Sequence, residues 1–319
     1  MVKENIASAL IMEDDADWDV MLKNQLVELA RGARFLQGED TPLESGGNSP
    51  YGDNWDMLWV GHCGARNREN EEAKYWVIRN DPTAIPEKLY QYRARLPNLD
   101  HPLLSGNHVR VIYEPVRGLC ATGYALSLQG AQRLLYHQSV LGKALVSDRA
   151  LNRVCTTRYM GMRCFAPYPA LIGSHRAVGP TGKDSDRIGM DGGYHKVPET
   201  ALIVFPVRVN MERLMRGKDS RIPSQYPRYT IFKEIDRSIE LPHGDGVFVK
   251  PGAYGENEEE RWSKANPKQA ELQRIAAEKE ATAEKKKEAE RIAAEKEATR
   301  LREAGLVKED PSLRDKKDV

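Results

Sequence analysis

Short apolar runs separated by acids, glycines and prolines occupy the first two-thirds of the chain. Residues 6–12, Ile-Ala-Ser-Ala-Leu-Ile-Met, end in acids and predict a buried strand. Leu22, Leu26, Leu29 and Ala30 then recur at helical spacing, predicting a helix over 20–36 that Asp17 or Asp19 can cap. Residues 38–54 are rich in Gly, Pro, Ser and Asp and read as a loop. Further strands are predicted at 55–60, 109–113 and 121–126, with 65–107 irregular. Helices are predicted over 128–137 and after Ser147, a plausible cap. Residues 173–198 show no periodicity, 201–207 read as a strand and 210–216 as a short helix, with irregular chain from there to about residue 255. Strands alternating with helices over 6–160 predict an α/β sheet, in which ligands sit beyond the carboxyl ends of strands.

The pattern changes near residue 256. The last 64 residues hold 33 charged side chains and only one aromatic, Trp262. Ala, Glu, Lys and Arg dominate 267–305, where Arg274–Thr282 recurs unchanged as Arg291–Thr299. These residues favour a helix. Its large apolar residues are few (Leu272, Ile275, Ile292, Leu301) and keep no heptad. Pairs such as Glu284/Lys287 and Glu288/Arg291 support a solvated helix about 55 Å long; a spacer and a helix-partner surface both remain open. Over the whole chain 48 basic residues balance 47 acidic ones, so charge offers no general argument for nucleic acid. No run reaches the ~18 apolar residues of a membrane span.

Among candidate chemical groups, Glu13-Asp14-Asp15 stands out because it follows an apolar strand. On extended backbone Glu13 and Asp15 share one side and Asp14 takes the other. Two convergent carboxylates suit Mg²⁺ or Mn²⁺ completed by water and phosphate oxygens. The same triplet also suits an acidic helix start. Asp15-x-Asp17-x-Asp19 opens like a calcium loop but has Val20 and Leu26 where Gly and Glu are needed. Gly179-Pro-Thr-Gly-Lys183 lacks the spacing of a phosphate loop. The four cysteines, Cys63, Cys120, Cys155 and Cys164, form no C-x-x-C pair, which argues against zinc. They fit either buried thiols or one or two disulfides of undetermined pairing.

Several segments occur together in a telling order. They are Ala9-Leu-Ile-Met-Glu-Asp-Asp15, Trp55-Asp-Met-Leu-Trp-Val-Gly-His-Cys-Gly64 and Cys120-Ala-Thr-Gly-Tyr-Ala-Leu-Ser-Leu-Gln-Gly-Ala-Gln132. Val146-Ser-Asp-Arg-Ala-Leu151, Ser174-His-Arg-Ala-Val-Gly179 and Asp184-Ser-Asp186 follow, then Val207-Arg-Val-Asn210 and Gln225-Tyr-Pro227. Together they resemble glycosyltransferase family 25, the lipooligosaccharide and collagen galactosyltransferases, with the nearest likeness to fungal members. The likeness spans about residues 1–228.

The resemblance implies a GT-A-like, Rossmann-like mixed sheet over 1–228. An irregular extension over 229–266, a charged helix over 267–305 and a tail over 306–319 would follow. It implies metal-dependent, inverting transfer of a hexose, usually galactose, from a UDP-sugar to a glycan or protein acceptor. Asp15 and Glu13 would hold Mn²⁺ or Mg²⁺, with Glu13 or Asp14 assisting or contacting the ribose. Asp148 is the candidate base, with helix capping as its competing role. His175 and Asp186 would close the metal or diphosphate site, and His62 would line the sugar pocket; a loop histidine and a structural histidine are the alternatives. The family usually works in the Golgi or secretory lumen. It also carries a uridine-binding strand and helix upstream of the triplet, where this sequence has twelve residues. A sheet without that unit would expose an apolar edge. The resemblance thus implies either a truncated gene model or fragment, or a catalytically degenerate, truncated relative that acts as an interaction protein through its charged helix.

Overall fold

The computed structural model describes residues 1–256 except 39–48, 91–95, 144, 185–192 and 218–219. Beyond 256 it describes only scattered positions between 264 and 300, so the expected charged helix and tail otherwise lie outside the described residues. The chain divides into two units, Met1–Glu258 and Glu259–Val319. The first half of the larger unit contains β1 (Ser8–Met12), β2 (Ala16–Trp18), α1 (Leu22–Gln37), β3 (Met57–Gly61), β4 (Gly64–Arg66), β5 (Ala73–Ile78), β6 (Arg110–Tyr113), β7 (Val116–Leu119), β8 (Gly123–Ser127) and α2 (Leu128–Leu135). Its second half contains α3 (Ser147–Thr156), β9 (Cys164–Tyr168), β10 (Ile172–Arg176), β11 (Gly179–Pro180), β12 (Tyr194–His195), β13 (Glu199–Thr200), α4 (Met211–Arg216), β14 (Arg221–Pro223), β15 (Glu234–Asp236) and β16 (Asp245–Val249).

Seven strands form one mixed sheet in the order β1-β8-β3-β9-β6-β5-β16, so the fold is mixed α/β. Only β3 and β9 pair in parallel; every other neighbouring pair is antiparallel. Leu29, Ala33 and Leu36 of α1 pack on Leu58, Val60, Ile112 and Phe165 from one face. Leu151, Val154 and Cys155 of α3 pack on Met57, Trp59 and Ala166 from the other. Alternate residues of each inner strand thus meet opposite helical layers, which explains the near-continuous apolar runs of β3 and β9.

Several expectations change. The run at 6–12 is an edge strand rather than a buried one, and Leu10 and Met12 are 49% and 42% exposed. The irregular segment 65–107 contains β5, whose Tyr75 and Val77 enter a core on one side while Ile78 enters α1's core on the other. Burial on both faces erased the alternation that reveals a strand. Residues 229–249 are not a separate extension, because β16 pairs with β5 and β15 pairs with β14. The apolar run 201–207 is a buried turn segment rather than a strand. Its backbone finds side chains and single-residue contacts: Phe205 N donates to Asp19 Oδ2, and Gln225 Nε2 donates to Ile203 O. Neither Asp17 nor Asp19 caps α1, whose first cap position is Met21 with no side-chain bond. Ser147 is the first residue of α3, not its cap. The predicted helix over 128–137 is present as α2 and runs on past its expected end in a π-helical turn over 136–140.

All four cysteines are paired, as Cys63–Cys120 and Cys155–Cys164. The first bridge closes a separation of 57 residues and ties the β3–β4 turn to the start of β8's approach. Removing such a bridge typically costs about 2–4 kcal/mol because the unfolded chain regains freedom. Cys63→Ala with Cys120→Ala is expected to show a loss of that size in urea unfolding.

Candidate active site

The acidic triplet lies where the edge strand β1 ends and the chain turns into β2. Ala16 N donates to Glu13 O at 3.1 Å, so residues 13–16 form a tight turn rather than extended backbone. Side-chain alternation consequently fails, and Glu13, Asp14 and Asp15 all line one cleft of about 900 Å³. The turn is held from two neighbours. Glu13 N donates to Thr122 O at 3.1 Å, and His175 N donates to Asp15 O at 2.8 Å. Pairing of β10 with β2 brings in the second contact, with Ser174 opposite Ala16.

Asp148, in the first turn of α3, lines the same cleft, as does His175. So do Ser147, Ser174, Thr122, Asp184 and the Cys63–Cys120 bridge. Arg176, Lys183 and Arg208 line it too, and Arg176 Nη1 lies 2.7 Å from Asp15 Oδ2. Among the described lining residues five carboxylates meet three cations, a net negative balance.

Glu13 is shifted within this cleft. Partial burial raises its carboxyl above the ordinary value of 4.5, and Asp15 repels its charge further. The Thr122 hydroxyl offsets part of this, while Asp14 and Asp148 add to it. His175 is shifted the other way, chiefly because burial disfavours its charged form. Its Nδ1 lies 3.1 Å from Thr200 Oγ1, leaving Nε2 as the nitrogen outside that contact.

Because the folded chain holds the Glu13 proton more tightly than the unfolded chain, this group costs stability as pH rises from about 4.5. Glu13→Gln removes the unfavourable charge and retains the shape. It is expected to raise the melting temperature at pH 7 relative to pH 4, and to weaken divalent-cation binding. Melting curves at the two pH values with and without Mn²⁺ check both.

Two buried acids that the sequence offered as caps hold the scaffold instead. Asp17 accepts from Trp18 N at 2.8 Å, from the Thr200 hydroxyl at 2.7 Å and from Arg208 N at 3.1 Å. That last bond fixes Arg208 at the cleft, where its Nη2 donates to Asp14 O at 2.7 Å. Asp19 accepts from Met21 N and Phe205 N, and burial pushes its carboxyl up to about 7.

His62 does not line the cleft. It is buried, its Nε2 lies 2.9 Å from Pro167 O, and Gly64 N donates to its Nδ1. Burial pushes it down to about 4, so it is a neutral core histidine stacked on Tyr168. Asp186 lies outside the described residues. Among the described residues no three His, Cys, Asp or Glu side chains gather closely enough to hold a metal alone. Glu13 and Asp15 suit an ion whose remaining ligands are water and phosphate oxygens. Arg176 and Arg208 lie in segments of the family likeness, Ser174–Gly179 and Val207–Asn210, yet neither was singled out there, and Lys183 belongs to a segment that fails as a phosphate loop. Comparison of the chain with family models, curated proteins and solved structures returns no match.

Proposed function

We propose that the protein is a metal-dependent, inverting glycosyltransferase that moves a hexose from a UDP-sugar to a glycan or protein acceptor. The observation that carries this reading is the gathering of Glu13, Asp15 and Asp148 with Arg176, Lys183 and Arg208 in the lining of one cleft. Its volume of about 900 Å³ falls in the ~300–1,000 Å³ range of small-molecule sites. Carboxylates and basic side chains gathered in one cleft suit a diphosphate carried with a divalent cation.

In this reading Asp15 and Glu13 hold Mn²⁺ or Mg²⁺, with Asp14 beside them. When bound, the ion would neutralise charge that builds on the departing diphosphate. Arg208 and Lys183 bind phosphate oxygens. Neutral His175 donates or accepts at the same end of the cleft. Asp148 takes the proton from the acceptor hydroxyl as its oxygen bonds to the anomeric carbon and the bond to the diphosphate oxygen breaks. Inversion follows from attack on the face opposite the leaving group. Galactose as the hexose rests on the family resemblance. Two disulfides fit an oxidising compartment, which favours the secretory lumen as the place of work.

Calorimetric titration of UDP, with and without Mn²⁺, tests the reading. Mn²⁺-dependent binding is expected in the wild type and not in Asp15→Ala. A folded wild-type sample that binds no UDP with Mn²⁺ would leave the interaction-protein alternative in its place.

A further inference from the structure

Arg176, the last residue of β10, joins two acids of different character. Its Nη1 donates to Asp15 Oδ2 at 2.7 Å and to the Asp184 carbonyl at 3.0 Å. Its Nε lies 3.7 Å from Asp184 Oδ2. Asp184 is firmly set: its side chain is 7% exposed, and the same Oδ2 lies 2.7 Å from His195 Nε2. Asp15 is looser, with a side chain 30% exposed. Among the described residues its carboxylate bonds to Arg176 alone. Arg176 is thus shared between Asp184, a buried partner held in place, and Asp15, a more exposed one whose short contact is the one water and ions can reach. Surface-type ion pairs of this kind add little stability, so a competing charge can take the place of one partner.

We propose that Arg176 is a displaceable stand-in cation. In the free protein it neutralises Asp15. When a divalent cation takes Asp15, Arg176 stays anchored at Asp184 and turns its freed N–H groups to a phosphate oxygen of the incoming diphosphate. The inference rests on the nucleotide-sugar reading of the cleft and adds to it how the two ligands help each other. No bond to carbon or phosphorus changes; a guanidinium exchanges one oxygen acceptor for another. Planar N–H donors suit that exchange, because carboxylate and phosphate oxygens present similar geometry to them.

The consequence is positive coupling. The cation releases the arginine that the phosphate needs, and the phosphate draws away the arginine that competes with the cation. Coupling of this kind is reciprocal. The wild type should therefore bind Mn²⁺ alone and UDP alone weakly, and the pair together more tightly than the two separate affinities predict.

Arg176→Gln separates this from a purely structural role, because it should move the two affinities in opposite directions. Mn²⁺ alone should bind about fivefold more tightly, the gain expected from freeing Asp15 of an exposed ion pair. UDP, titrated into Mn²⁺-saturated protein, should bind roughly tenfold or more weakly through the lost charged contact. Arg176→Lys keeps the positive charge on a shorter reach of donors. It should hold Mn²⁺ affinity near the wild-type value while UDP affinity still falls. Calorimetry reads both affinities, and circular dichroism checks that each variant is folded. Unchanged or weaker Mn²⁺ binding in folded Arg176→Gln, with the wild type binding both ligands, overturns the exchange and leaves the site reading standing. Failure of the wild type to bind either ligand overturns both.

Discussion

Asp148→Asn is expected to lower the transfer rate about 10²–10⁴-fold while donor affinity stays within about twofold of the wild type. The residue stands in the first turn of α3 and lines the cleft with the acidic triplet. An amide fills the same space and cannot accept the proton of an acceptor hydroxyl. The competing role of Asp148 is to place negative charge at a helix start, worth about 0.3–1 kcal/mol. The two roles separate in the measurements. A helix-start role moves unfolding midpoints slightly and leaves kcat alone. A base role moves kcat and leaves the UDP affinity alone. UDP release from UDP-galactose, with an acceptor found by screening the wild type, reads the first quantity, and calorimetry reads the second. Full turnover by Asp148→Asn would remove Asp148 from the mechanism.

Arg110→Met is expected to destabilise the protein by about 3–5 kcal/mol, because it strands a buried carboxylate. Arg110 and Asp81 are both buried, with Nε 2.7 Å from Asp81 Oδ2. The guanidinium also donates to Pro169 O and, at 2.9 Å, to Thr83 O. It thereby ties β6 to the turn after β9. Burial raises the carboxyl of Asp19; the N–H groups of Met21 and Phe205 offset part of that, and the Arg110 charge adds a smaller share. Asp19 has a folded value of about 7 against an ordinary 3.8. The folded chain therefore holds that proton more tightly, and its contribution to stability falls as pH rises across this interval. Without Arg110 the Asp19 carboxyl rises further. The loss in Arg110→Met should thus be larger at pH 8 than at pH 5, as read from urea unfolding at each pH. Adding Asp81→Leu should recover part of it, since no unpaired charge is then left at that position. An equal loss at both pH values would detach Asp19 from this cluster.

Much of the scaffold was legible along the chain because its signals are local. The runs around Met57–Gly61, Arg110–Tyr113 and Gly123–Ser127 are strands. Helical spacing of Leu22, Leu26 and Leu29 marks the face of α1 that meets the sheet. The triplet Glu13-Asp14-Asp15 was conspicuous because three adjacent carboxylates repel one another, and it does line the cleft with Asp148 and His175. His62 misled because a strand-end histidine reads the same whether it faces a pocket or the core.

What only the tertiary structure decided were the partners. The hydrogen bond that sets Arg208 against the cleft joins residues 191 positions apart, and the ion pair of Arg176 with Asp15 spans 161. Arg176 and Arg208 sit in segments that carry the family likeness, but nothing local to either says which acid it will meet. The pairing of β10 with β2 and the buried Asp17 carboxylate bring them together. Local pattern reports which backbone a segment prefers and which face it buries. It carries no information on which distant charge will meet another, because that depends on how every intervening element packs.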